Sequence, residues 1–110
     1  MIRITVDYDT KQQKYTGFHT LGHAEYAEYG EDIVCSAVSV LTITAVNSIE
    51  AFTNSSFSTE CEQELGRMDY HLDSPVSSEA DLLIRAMLLG LEGIQKEYGT
   101  KYLKVNTKEV

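Results

Sequence analysis

The sequence has little positive charge and only two cysteines. Nine lysine and arginine residues stand against seventeen aspartate and glutamate residues, a formal charge of −8 over 110 residues. Because phosphate binding depends on basic side chains, this balance argues against a direct nucleic-acid binder. It favours the approach of a basic partner by long-range attraction, although the same charge also keeps a small protein soluble. Two cysteines without an export signal predict free thiols in a reducing cytoplasm.

Signatures of metals and cofactors are also missing. Beyond His19 and His23, histidine and cysteine have no clear zinc-binding spacing, and a strand followed by a loop would not place that pair on one helical face. The sequence contains no glycine-rich phosphate loop, linker, low-complexity tract or sustained repeat. We therefore expect one domain over residues 1–110, with no metal and no cofactor.

The longest feature of the chain is a run without charge. No acidic or basic side chain occurs among the seventeen residues 33–49. Serines, threonines and an asparagine interrupt the run, which falls just short of the roughly 18 continuous apolar residues that indicate a membrane span. We therefore predict a buried helix that ends at about Phe52, and no membrane partner. Asp32 is a suitable N-cap, because its carboxylate can accept a hydrogen bond from a free backbone N–H one turn on.

This helix is apolar on nearly every side. We expect one face to enter the core, consisting of Val34, Ala37, Val38, Leu41, Ala45 and Phe52. Ile33, Val40 and Ile43 lie on the opposite side. One sheet face cannot cover both sides, so a second helix or a partner subunit must cover the rest. The uncharged faces suggest a buried dimer contact, although a tight monomer core would use the same residues.

The remaining elements follow from periodicity and from turn residues. Alternating residues predict strands at 2–8, 14–21, 57–62 and 68–72, with Cys61 in the core and Gly66 in the turn before the fourth strand. Ser78 with Asp81 resembles a capping box that opens a second helix over 79–98. Gly99 is placed for a left-handed C-terminal cap, and a last short strand over 101–105 precedes a frayed tail.

The predicted order is therefore ββαββαβ. Helices that follow hairpins pack on one face of a sheet. We predict a two-layer α+β domain in which two helices cover one face of a mainly antiparallel sheet.

The start of the long helix is the predicted chemical site. With Asp32 as N-cap, Cys35 lies in the first turn, near unpaired N–H groups and the positive end of the helix dipole. Both favour thiolate, the nucleophilic form of cysteine. His23 follows the glycine that ends the second strand, and the loop between can bring its imidazole beside the thiol. The alternatives are a small apolar core residue for Cys35 and a surface residue for His23.

The residues around this site resemble the ribosomal-processing cysteine protease family, Prp. The pattern consists of Gly22-His23, then Tyr26, Tyr29-Gly30, Asp32-Ile33-Val34-Cys35 and Ser39. It is dense over residues 22–39, and the predicted element order fits the small α+β domain of that family over nearly the whole chain. The main departure is Ser36, where alanine is more usual, and one small side chain replaces another.

The resemblance implies a cytoplasmic bacterial endopeptidase that is a homodimer. Members remove a short N-terminal extension from the large-subunit ribosomal protein numbered twenty-seven, and they cut just after a pair of aromatic residues. On this chain Cys35 would be the nucleophile and His23 the general base. The alternative function is a non-catalytic dimeric module that binds a basic ribosomal protein or peptide through its acidic loop.

Residues next to this pair have two interpretations each. Asp32 could orient His23 or only cap the helix. Backbone N–H groups at the helix start, including that of Cys35, are candidate oxyanion donors. Ser39, one turn beyond Cys35, could form hydrogen bonds in the site or bond back to its own helix.

The loop after the Gly22-His23 pair is acidic and rich in tyrosine. Tyr26 and Tyr29 could line a pocket for an aromatic substrate side chain, or they could pack locally. Three glutamates in the loop could attract a basic peptide. Gly22 and Gly30 permit hinge-like motion, and the resemblance implies a mobile loop that partly shields the site.

Overall fold

The computed structural model describes residues 1–28 and 30–110. The elements are strands β1 (Ile2–Asp9) and β2 (Lys14–Leu21), helix α1 (Ile33–Phe52), strands β3 (Phe57–Glu62) and β4 (Arg67–Leu72), helix α2 (Ser78–Tyr98) and strand β5 (Leu103–Glu109). A short 3-10 turn (Gln63–Leu65) joins β3 to β4. The predicted ββαββαβ order is confirmed.

The five strands form one mixed sheet in the order β3-β4-β2-β1-β5. β1 pairs antiparallel with β2, β2 with β4 and β4 with β3, whereas β5 lies parallel to β1. The prediction of a frayed tail is wrong, because β5 continues to Glu109 and Val110 donates its N–H to the Tyr8 carbonyl at 2.9 Å. Backbone hydrogen bonds with β1 hold this polar segment in the sheet. Its side chains do not alternate between apolar and polar, so the sequence does not predict a strand there.

Both helices contribute to a core on one face of the sheet. The inward positions of α1 are Val34, Val38, Thr42, Ala45 and Ile49. From the sheet, fully buried residues include Ile4, Phe18 and Tyr70. The placement of Phe52 in the core is wrong, because this residue lies in the last turn of α1 and is 77% exposed.

Helix α1 is long and apolar enough to cross a membrane by length and composition. Its inward positions are part of the core, and α2 packs beside it: a Cβ added at Gly90 would lie 2.9 Å from Leu41 Cδ1. The second helix therefore covers part of the apolar surface, as predicted. Ile33, Val40 and Ile43 remain at least half exposed.

Two local predictions around α2 need correction. The N-cap is Ser77, whose hydroxyl accepts a hydrogen bond from the Ala80 N–H at 3.1 Å, so Ser78 and Asp81 do not form a capping box. Asp81 instead accepts the Tyr15 N–H at 2.8 Å and ties α2 to β2. Gly99 ends the helix with a positive φ of 99°, but its ψ of 159° is extended rather than left-handed helical.

Cys61 is exposed, so the prediction that it lies in the core is wrong. It lies on the edge strand β3, where only Phe57 is even partly buried. Alternation correctly indicated a strand, but it could not reveal that the helices leave this edge uncovered.

The outer face of the sheet contains an imidazole held between two carboxylates. His19 Nε2 lies 2.7 Å from an Asp7 carboxylate oxygen, and Nδ1 lies 2.8 Å from one of Asp69. Burial lowers the pKa of His19, but hydrogen bonding to Asp69 and Asp7 outweighs it and raises this pKa above the usual 6.5. Arg67 also pairs with Asp69, at 3.0 Å.

We expect this group to make stability depend on pH. A raised histidine pKa stabilises the fold fully below pH 6.5, and this contribution is lost as pH rises through the folded-state pKa. At mildly acidic pH the free energy of unfolding of the wild type should exceed that of His19→Gln. The difference should be no more than about 1 kcal/mol, because His19 is half exposed and solvent screens its ion pairs. Urea titrations at about pH 5.5 and 8.5 should show the difference shrinking at the higher pH. An equal change in His71→Gln, the exposed histidine on β4, would contradict this assignment.

Candidate active site

The first turn of α1 is organised by one carboxylate. Asp32 Oδ1 accepts the N–H groups of Val34 and Cys35, each at 3.0 Å, so the predicted N-cap is confirmed. Oδ2 accepts the N–H of Tyr26 at 2.9 Å and attaches the loop to the helix start. Burial opposes ionisation of Asp32, but the N–H groups of Cys35 and Tyr26 outweigh it and lower the pKa of this carboxyl below 3.8. Asp32 therefore remains charged at neutral pH.

Cys35 is the third residue of the helix and is half-buried. Its Sγ accepts a hydrogen bond from the Ala24 N–H at 3.2 Å. Burial raises the pKa of the Cys35 thiol above 9.0; the Ala24 N–H opposes this shift and the Asp32 charge adds to it. The expectation that the helix start favours thiolate is therefore wrong for this conformation. Asp32 takes up the N–H groups of the first turn and places a negative charge beside the sulfur.

His23 is exposed, and its ring is held by the backbone of a distant turn. Nε2 lies 3.0 Å from the carbonyl oxygen of Glu64. Because a carbonyl oxygen can only accept, Nε2 carries the proton in this contact, and in the neutral ring Nδ1 is the nitrogen with a free lone pair. His23 and Ala24 are adjacent, so the segment that presents this imidazole also contributes the N–H that contacts Sγ.

His23 and Cys35 line the same cleft, which has a volume of about 1150 Å³. The loop contributes Gly22, Glu25, Ala27, Gly30 and Asp32; α1 contributes Ser36, Val38, Ser39, Thr42 and Ile43; the β3–β4 hairpin contributes Cys61, Gln63, Glu64, Gly66, Arg67 and Met68; and Ile2 and Thr20 complete the lining. The lining thus combines apolar side chains with several acidic groups. Within the described ranges, no group of three or more histidine, cysteine, aspartate or glutamate side chains could hold a metal ion.

Ser39 is exposed in the cleft, one turn beyond Cys35. Among the side-chain hydrogen bonds of the described residues, the one at Ser39 is accepted by its carbonyl from the Thr42 hydroxyl, at 3.2 Å. The hydroxyl of Ser39 therefore does not bond back to its own helix in this conformation, and it is available to a molecule in the cleft.

Of the two tyrosines in the loop, Tyr26 has a defined packing partner. Tyr26 does not line the cleft: its ring packs edge-on against Tyr98 and Tyr102, with centroid distances of 5.5 and 5.0 Å. This contact matches the local-packing alternative and fixes the loop to the end of α2. Tyr29 lies outside the described residues. Gly22 and Gly30 both have positive φ, of 94° and 89°, which glycine adopts readily.

The main groups that sequence reasoning missed are backbone atoms. The Glu64 carbonyl and the Ala24 N–H contact the two candidate catalytic side chains, yet every residue carries such atoms. The one signal in the sequence is Gly66, the predicted turn glycine.

Comparison with known proteins decides the family. The chain matches the family model described as Cysteine protease Prp over residues 1–104. The chain belongs to this family. It is 31% identical over 106 residues to the Ribosomal processing cysteine protease Prp of Staphylococcus aureus, covering 96% of this chain and 99% of that protein. The Prp protein of Bacillus subtilis is 31% identical over 85 residues, covering 74% of this chain and 76% of that protein.

Solved Prp structures have the same architecture. A Prp protein from S. aureus in complex with a covalently linked product peptide superposes with a TM-score of 0.91 at 29% identity, covering 98% of this chain and 100% of that chain. A second S. aureus structure, in complex with a substrate peptide, gives 0.85 at 28% identity with the same coverage. The fold prediction and the assignment to a cysteine protease family are thus confirmed.

The carboxylate of Asp32 should suppress the reactivity of Cys35. Asp32→Asn removes the negative charge beside Sγ while keeping a good N-cap, so the pKa of the Cys35 thiol should fall. Alkylation by iodoacetamide near neutral pH should accelerate severalfold, because the thiolate is the reacting form. The rate should be measured against pH in a Cys61→Ser background.

The midpoint of this pH profile separates charge from accessibility, because a looser loop would raise the plateau rate without moving the midpoint. Glu31→Gln removes an exposed carboxylate one residue earlier and is the matched control. An unchanged or higher midpoint in Asp32→Asn would contradict the suppressing role.

Proposed function

We propose that this protein is an endopeptidase that removes the N-terminal extension of the large-subunit ribosomal protein numbered twenty-seven, through a Cys35/His23 dyad. The observation that carries the proposal is the cleft that both side chains line, with the Ala24 N–H on Sγ. The relatives from S. aureus and B. subtilis are named for ribosomal processing. The S. aureus structures hold a substrate peptide and a covalently linked product peptide.

The chemistry requires a base because burial raises the pKa of the Cys35 thiol. Nδ1 of His23 takes the proton from the Cys35 thiol, and Sγ attacks the carbonyl carbon of the scissile bond. The imidazolium then gives this proton to the leaving amine, and water, deprotonated by the same ring, hydrolyses the thioester. General acid–base transfer of this type contributes about 10²- to 10⁴-fold in rate.

Asp32 is assigned to capping rather than to orienting His23. Its two oxygens already accept three backbone N–H groups, while the His23 ring bonds to Glu64. The N–H of Cys35 is one of those three donors, so it is not free to bind an oxyanion unless the cap rearranges. The N–H of Ala24, which points at Sγ, is the donor we assign to the developing oxyanion.

The cleft chemistry supports a peptide with both apolar and basic residues. Ile2, Val38 and Met68 supply apolar surface that suits an aromatic side chain before the cut bond. Glu25 and Glu64 add negative charge for a basic substrate. Gly30 lines the cleft and is assigned to substrate contact through its backbone, whereas a substrate role for Tyr26 would require its ring to leave Tyr98 and Tyr102.

We also propose a cytoplasmic homodimer that uses the outer face of the helices. Val40 is 64% exposed on α1 and Leu89 is 73% exposed on α2. The two helices approach each other at Leu41 and Gly90. Val40 directly precedes Leu41 and Leu89 directly precedes Gly90, so the two exposed side chains lie on adjoining surface. A symmetric contact through the uncharged part of α1 avoids like-charge repulsion between two chains that each carry a charge of −8.

The dyad predicts complete loss of cleavage when either partner is removed. Wild type should cut a peptide from the precursor N-terminus once, and Cys35→Ala and His23→Ala should leave it intact, as measured by mass spectrometry. Cys61→Ser, at the other thiol of the cleft, is the matched control and should still cut. Cleavage by Cys35→Ala or His23→Ala would exclude the dyad, and binding without cleavage by the wild type would exclude the peptidase.

A homodimer with this interface should dissociate when a single charged side chain is introduced into the interface. Val40→Glu places a carboxylate in the proposed interface, so sedimentation analysis should show dissociation at concentrations where wild type is a dimer. Ser58→Glu adds the same charge on the exposed strand β3 and should leave the mass unchanged. A monomeric wild type, or equal behaviour of the two variants, would contradict this interface.

A further inference from the structure

Three consecutive carbonyl groups of the β3–β4 turn receive hydrogen bonds from the end of β2. The carbonyl of Gly66 accepts the Thr20 hydroxyl at 3.4 Å, and that of Leu65 accepts the Gly22 N–H at 2.9 Å. The carbonyl of Glu64 accepts His23 Nε2 at 3.0 Å. The turn at 64–66 therefore contacts Thr20, Gly22 and the candidate base His23.

Gly66 is required for this approach on two grounds. Its φ of 60° and ψ of 34° are left-handed, a conformation that side chains disfavour. An added Cβ would overlap the carbonyl oxygen of Gly22, and it would lie 2.9 Å from the Gly22 carbonyl carbon and 3.2 Å from His23 Cε1. Only a residue without a side chain lets the turn sit against both the backbone before His23 and the His23 ring.

We propose that the 64–66 turn is the positioning element of His23, in the place where other cysteine proteases use a side chain to orient the base. The Glu64 carbonyl holds the proton on Nε2 and leaves Nδ1 to accept the thiol proton, and Gly66 sets the ring position. The inference rests on the proposed role of His23 as general base. Its readouts are the tautomer of the ring and the turnover rate, which a purely structural turn would not control.

The first test uses the unaltered protein. Nitrogen-15 NMR of the histidine ring, at a pH where His23 is neutral, should show the Nε2–H tautomer. The His23 signals are assigned by their loss in His23→Ala. A predominant Nδ1–H tautomer would overturn the proposal whatever any variant does.

The second test compares two glycines with positive φ. Gly66→Ala should lower kcat by about 10- to 100-fold with a smaller change in KM, because small displacements of a catalytic group are costly. It should also raise the Nδ1–H fraction of His23. Gly99→Ala is the matched control, since Gly99 has a φ of 99° and an added Cβ would meet nothing within 4 Å among the described residues. Its kcat should stay within about threefold of wild type, because only backbone strain is added.

The outcomes separate this inference from the proposed function. Cleavage by His23→Ala would remove the general base and the proposed function together. An inactive His23→Ala combined with equal kcat values for Gly66→Ala and Gly99→Ala would overturn the positioning role alone. Should Gly66→Ala not fold, Thr20→Val removes only the hydroxyl bonded to Gly66, and an unchanged kcat and tautomer there would count against the turn.

Discussion

The interaction on which this structure depends is the set of hydrogen bonds accepted by the Asp32 carboxylate. By accepting the N–H groups of Val34 and Cys35, it fixes the residue at which α1 begins. That starting point places Cys35 in the first turn of the helix. The other oxygen holds Tyr26 and thereby the loop between β2 and α1. One side chain therefore couples the start of the main core helix to the loop that borders the cleft.

The same arrangement limits the chemistry at Cys35. A helix start normally offers N–H groups and a positive potential to a thiolate. Here the carboxylate takes up those groups, and burial of the thiol, with the Asp32 charge beside it, raises the pKa of Cys35. In the proposed mechanism Cys35 in this state depends on a neighbouring base, so the orientation of the His23 ring matters for the reaction.

The sequence predicted the parts of the fold that depend on local patterns. Alternation placed β2, and the uncharged run with Asp32 placed α1 and the position of Cys35 within it. It could not show that β5 extends beside β1, since backbone pairing leaves no side-chain period, nor that Cys61 lies on an uncovered edge. Of the candidate site, Cys35 and His23 are proposed from the resemblance and from their positions, and the structure places both in one cleft. The carbonyl that holds His23 could not be predicted, because backbone atoms are the same in every residue.

The position of His23, the proposed base, depends on strand register. Pairing of Thr20 with Met68 between β2 and β4 places the turn before β4 beside Gly22 and His23. Gly17 lets the two strands approach at the other end of this pairing, where an added Cβ would overlap the Tyr70 carbonyl oxygen. A shift of one residue would exchange the two faces of β4 and remove the 64–66 carbonyls from the end of β2. Because the buried Tyr70 and Leu72 hold that register, the core of the sheet and the position of His23 are specified by the same residues.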